Sequence, residues 1–213
     1  MRMVGGRPWY EDQDMEDMTE EALRGAAWPR EGNGKAVDID RVVSKHLRIQ
    51  PVLADLEAGI LGQTRFRRNG PPIIEISKTL ADEAAASNRG AFHRYRTTLA
   101  HEASHVLFHS CLYVDSGESL FGEQAEVPFN LCRGGNMGRF VGSDWKEVQA
   151  NLGMACLLLP RIEVIKEIRE NASLTREELI IHLSKTFLVS PEAARYRFEK
   201  FSPAASDRQG MLL

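Results

Sequence analysis

The sequence predicts an α+β fold: a small antiparallel sheet packed on helices, followed by a short C-terminal helical module. Three observations carry this. Residues 49–77 hold three short runs rich in apolar and β-branched side chains, separated by turn formers. Residues 91–113 contain neither Pro nor Gly, and Leu99, Val106, Leu107 and Phe108 offer them a face for a core. Beyond residue 144, apolar positions recur at helical spacing, broken at Pro160 and again before Ser190-Pro191. The expected organisation is an N-terminal tail and helix over 1–36, a main domain over 37–160, and a helical module with a tail over 161–213.

In chain order, residues 1–12, with Gly5-Gly6 and Pro8, read as a mobile tail. Met15, Met18, Ala22, Leu23 and Ala26 then mark a helix over 14–28, which residues 29–35 break. Asp38 caps a second helix through Ile39, Val42, Val43 and Leu47. The strand candidates are 49–54, 59–66 and 72–77, with Arg68-Asn69-Gly70 as the turn between the last two. Residues 81–86 suit a helical turn or a surface loop, and a long helix starts near Ala91. The glycine-rich stretch 111–143 reads as a long loop with one or two short strands, such as 139–141. Asp144 caps a helix that Pro160 stops. Further helices follow over 161–171, after an N-cap at Ser173, and from Ser190-Pro191 to about Phe201.

Hydrophobic residues at 43% and charged residues at 27% describe a globular protein with a real core. A net charge of −3 exerts no global pull toward nucleic acid or an anionic membrane. No apolar run reaches the length of a membrane span, and the acidic residues after Tyr10 are unlike a secretory leader. The three cysteines, Cys111, Cys132 and Cys156, are odd in number and widely spaced, which fits a reducing cytoplasmic setting.

The long helix carries His101-Glu102-Ala103-Ser104-His105. Four residues apart on a helix, His101 and His105 project from one face about one turn apart. Two imidazoles so placed can grip one Zn²⁺, with Glu102 beside it to act on a water. A catalytic zinc takes a third protein ligand. The continuation with Gly and a third His fails, because Phe108 and Cys111 occupy those places. His109 extends the same face and either lines the site or caps the helix end. Glu118, Glu123, Glu126 and Glu147 are the carboxylate candidates. Glu147 sits in the first turn of a strong helix, which holds a ligand more rigidly than a loop does. Asn151, one turn on, could orient a ligating His. His93, Tyr95 or a nearby Arg could donate to an oxyanion.

These residues, in this order, resemble the ImmA/IrrE family of metallopeptidases. The likeness runs through Val37-Asp38-Ile39-Asp40, Ile73-Ile74-Glu75-Ile76, Arg96-Thr97-Thr98-Leu99-Ala100-His101-Glu102-Ala103-Ser104-His105, Glu147-Val148-Gln149-Ala150-Asn151 and Leu157-Leu158-Leu159-Pro160. Ser104 stands where the family has Gly, and Leu152-Gly153-Met154 replaces its small residues after Asn. The resemblance implies a zincin-like fold, zinc on His101, His105 and Glu147, and Glu102 as the catalytic acid/base. It also implies a protein substrate, a helix-turn-helix repressor of phage, mobile-element or stress-response genes. The alternative is a zinc-bearing regulatory or toxin–antitoxin-type protein without turnover. The last two helices have a helix-turn-helix flavour: Arg195, Arg197 and Lys200 could touch DNA phosphate, but such a pair more often packs on the core.

Overall fold

The structure is a computed structural model. It describes residues 2–4, 7–28, 34–67, 70–86, 88–114, 127–133 and 145–202. It is an α+β arrangement of a small mixed sheet among a majority of helices.

Two short strands lie within the stretch expected as a tail. Strands β1 (Arg2–Val4) and β2 (Arg7–Trp9) pair antiparallel, Arg2 opposite Trp9. Tyr10 follows, buried, with its hydroxyl donating to the Phe108 carbonyl at 2.8 Å. Long-range anchoring of this kind leaves no periodic trace in so short a segment. Helix α1 (Asp12–Gly25) begins two residues earlier than its apolar spacing suggests, because the Asp14 carboxylate accepts from the Glu11 N–H at 3.0 Å.

Asp38 caps α2 (Ile39–Arg41) through the Arg41 N–H at 3.0 Å. The chain continues as a π turn over Val42–His46, with the Leu47 N–H donating to the Val42 carbonyl. Strands β3 (Val52–Ala54), β4 (Ile60–Phe66) and β5 (Ile73–Ser77) follow. With β6 (Val127–Arg133) they form one sheet in the order β3-β5-β4-β6. The expected antiparallel sheet holds for β4 with β5 and for β4 with β6. It fails for β3, which runs parallel to β5. Here β5 lies between β3 and β4, so β3 meets a strand running in its own direction. Burial along β4 alternates: Ile60, Gly62, Thr64 and Phe66 face inward.

Ser77 caps α3 (Lys78–Ala85) directly off β5, so this segment is a helix and not a loop. Asn88 caps the long α4 (Arg89–His109) through the Ala91 N–H, and α5 (Cys111–Val114) follows. Within the expected loop 111–143, β6 supplies a strand, and the candidate strand at 139–141 lies outside the described residues. So do Asp144, the turn residues Arg68 and Asn69, and the ligand candidates Glu118, Glu123 and Glu126.

Helices α6 (Trp145–Leu158), α7 (Arg161–Glu170), α8 (Arg176–Phe187) and α9 (Pro191–Phe201) complete the chain. The cap of α8 is Thr175 and not Ser173: Glu178 closes a capping box back to the Thr175 N–H at 2.9 Å. One buried apolar cluster runs from Ala22 in α1 to Phe198 in α9, so the C-terminal helices share the core of the rest. Arg197, a candidate phosphate contact, is fully buried. It donates to the Leu159 carbonyl at 2.7 Å and to both Glu16 oxygens at 2.5 and 3.0 Å. That removes it from any DNA-facing surface. Arg195 pairs with Glu177 and Lys200 with Asp12. Among the described residues, no single helix is long and apolar enough to cross a membrane.

Candidate metal centre

Helices α4 and α6 pack closely because small residues meet where they touch. A Cβ built on Gly153 would stand 2.2 Å from Phe108 Cε2 and 2.8 Å from Ser104 Oγ. Ser104 is fully buried, its hydroxyl bonded back to the Ala100 carbonyl at 2.8 Å. On the other side of α4, β4 approaches at Gly62, where a Cβ would lie 2.6 Å from Thr98 Cγ2 and 3.3 Å from Glu102 Cγ. The buried guanidinium of Arg96 fixes the helix along its length, donating to the Val37 carbonyl at 2.7 Å and to that of Phe187 at 3.4 Å.

This packing brings His101, His105 and Glu147 together: their ligand atoms lie within 4.8 Å of one another. The two Nε2 atoms are 3.0 Å apart. His101 Nε2 stands 3.2 Å from Oε2 of Glu147, and His105 Nε2 stands 3.4 Å from Oε1. Ligands at tetrahedral zinc distances are separated by about 3.4 Å, so the three edges suit a single small cation. Both histidines are buried, whereas Glu147 keeps 33% of its side chain exposed.

The surroundings shift the ionisable groups of the site in different directions. Burial pushes His105 and His109 down to about 4, which keeps their rings neutral at physiological pH. Burial alone would raise the Glu147 carboxyl. Hydrogen bonds from His101 and His105 outweigh that and hold it well below the usual carboxylate range. Burial alone would lower His101, but its hydrogen bond to Glu147 and the charges of Glu102 and Glu147 raise it. Two imidazoles and one ionised carboxylate form a donor set suited to a divalent cation of the first transition series.

Glu102, next to His101 in sequence, is fully buried. Its Oε2 accepts from the Thr64 hydroxyl at 2.7 Å, while Oε1 has no partner among the described residues. A buried carboxylate oxygen without a partner is costly unless something outside the chain meets it. Burial raises this carboxyl to about 7, with Glu147 adding to the rise and His101 and Thr64 opposing it.

Asn151 takes the expected orienting place: His101 Nδ1 donates to its Oδ1 at 3.1 Å. His109 is more than a lining group, since its Nδ1 lies 3.0 Å from His105 Nδ1 and its Nε2 lies 3.0 Å from Gln149 Oε1. Of the expected oxyanion donors, Tyr95 is held elsewhere and His93 stands farther along α4. The Tyr95 hydroxyl donates to Asp40 at 2.8 Å. His93 lies eight residues before His101, about 12 Å along the helix axis. Two site residues were missed from sequence. Thr64 shows only as an inward position of β4, and Gln149 only as a polar residue between Glu147 and Asn151.

No protein-family model, curated protein or solved structure matches the chain.

Proposed function

We propose that this chain is a zinc-dependent peptidase of the ImmA/IrrE type, with His101, His105 and Glu147 as ligands and Glu102 as general acid/base. The convergence of three ligand atoms, together with a buried Glu102 whose Oε1 has no partner among the described residues, carries this reading. Bound zinc supplies a Lewis acid that acidifies water and polarises a carbonyl. Glu102 Oε1 takes the proton of the attacking water and returns it to the leaving amine. A carboxyl whose affinity for protons lies near neutrality suits both transfers. Thr64 holds Oε2, so Oε1 is the oxygen that works. Asn151 holds His101 with Nε2 toward the site.

The substrate in this reading is a helix-turn-helix repressor, supported by the resemblance over residues 96–105 and 147–160. The test is co-incubation of the full chain with the repressor encoded nearest to it, with and without a chelator. The expected result is site-specific cleavage that chelation stops. Glu102→Gln should keep one zinc per chain and cleave nothing. Retained proteolysis in that variant contradicts the mechanism. Repressor binding with zinc present and no cleavage by the wild type returns the protein to a regulatory role.

A further inference from the structure

Helix α6 is buried unevenly along its length. None of residues 145–149 is buried, whereas residues 153–158 all are. Glu147 therefore stands on the less buried end of its helix, and a ligand there needs something to keep it over the histidines. The segment just before α1 reaches that end. Gln149 Nε2 donates to the Pro8 carbonyl at 3.1 Å. Two residues on, the Tyr10 hydroxyl donates to the Phe108 carbonyl at 2.8 Å. That carbonyl is one of the four that the last turn of α4 leaves without a helical partner. The Tyr10 ring also lies 5.4 Å from the Phe108 ring, the same ring that leaves no room for a side chain at Gly153 on α6. Pro8 and Tyr10 are both buried and only Trp9 separates them, so the tie between the two helix ends is short.

We propose that residues 8–10 form a clip that holds the first turn of α6 against the last turn of α4, making Tyr10 and Gln149 positioning residues for the third ligand, Glu147. This rests on the metal-site reading above. The two bonds act in series, because the Pro8 carbonyl ties Gln149 to α4 through Tyr10. Removing either breaks the tie, so removing both should cost little more than removing one. His101 and His105 have no need of the clip, since both are buried on a single helix. Loss of a group that orients a ligand weakens metal binding by about 10- to 100-fold.

The test uses full-length Tyr10→Phe, Gln149→Met and the double variant. A competing indicator reads zinc affinity, and amide hydrogen exchange on the metal-free proteins reads local order. Each single variant should weaken zinc about 10- to 100-fold. The double variant should bind like the weaker of the two, whereas independent packing losses would add. Amides 149–151, whose helical bonds close the first turn of α6, should exchange faster in every variant. Amides 155–158 should keep wild-type protection, which also establishes that the variants fold. Tyr10→Phe leaves the bond between Gln149 and His109 in place, so its effect belongs to the clip. With a wild type that binds zinc, unchanged affinity in Tyr10→Phe overturns the proposal. So do losses that add in the double variant, and so does exchange at 149–151 equal to wild type. A wild type that binds no zinc, with faster exchange at 149–151 in every variant, leaves the clip standing and removes the peptidase reading instead.

Discussion

Gly153 on α6 faces Ser104 on α4 with no room for a side chain between them: an added Cβ would lie 2.8 Å from the Ser104 hydroxyl and 2.2 Å from the Phe108 ring. The missing side chain at Gly153 permits the close approach of α4 and α6 that brings Glu147 to the histidines. Alanine is the better helix former by about 1 kcal/mol. The clash with Phe108 is larger, because that ring is itself buried against Tyr10 at 5.4 Å. Gly153→Ala is therefore expected to cost about 1–3 kcal/mol in urea unfolding and to weaken zinc binding. Unchanged values for both would show that α4 and α6 do not need this contact.

Glu102 should make the metal-free protein pH-sensitive. Burial raises its carboxyl from 4.5 to about 7. The stability this confers is present in full below pH 4.5 and is gone once the pH has risen past about 7. Metal-free wild type should lose on the order of 3 kcal/mol from this group between pH 4.5 and 8. Glu102→Gln keeps an acceptor for Thr64 and should escape the loss. Unfolding of both chelated proteins at pH 4.5 and pH 8 checks this; equal slopes would remove Glu102 as the cause.

The parts of the site that could be read from sequence were the local ones. His101 and His105 share one helix, so their spacing fixes their relation before any tertiary contact forms. Glu147 could be favoured because a helix start holds a carboxylate firmly, and Asn151 follows from the same periodicity. The parallel pairing of β3 was illegible, since strand composition does not say which neighbour a strand will choose. The β1–β2 hairpin was illegible too: three-residue strands containing Pro8 carry no alternation to detect. Ser173 and Thr175 are both good caps, and the choice fell on the one with Glu three residues on. Tyr95 looked free to serve the site only because Asp40, 55 residues away, was not known to hold it.

Arg197 and Glu16, 181 residues apart, are the least legible pair and offer an independent test of the fold. Both are buried. Burial alone would raise the Glu16 carboxyl, but hydrogen bonds and charge from Arg197 hold it below its ordinary value. Its contribution is thus present above pH 4.5 and lost as the pH falls through the depressed value. Arg197→Met should cost about 3–5 kcal/mol by stranding the carboxylate, and adding Glu16→Leu should restore most of it. A double-mutant cycle with no coupling would contradict the pairing.

Removal of metal should lower Tm. At zinc about 100-fold above its Kd, loading stabilises the folded state by about 2.7 kcal/mol. Chelation should abolish that increment in the wild type and change nothing in Glu147→Ala. A Tm insensitive to chelator in both proteins would mean that no ion is held.

The most direct test is a zinc titration of the metal-free full chain, set beside His101→Ala, His105→Ala and Glu147→Ala. The account expects one tight site per wild-type chain and loss of that site in each variant. A wild type that takes up no stoichiometric zinc, or variants that keep it, would contradict the account.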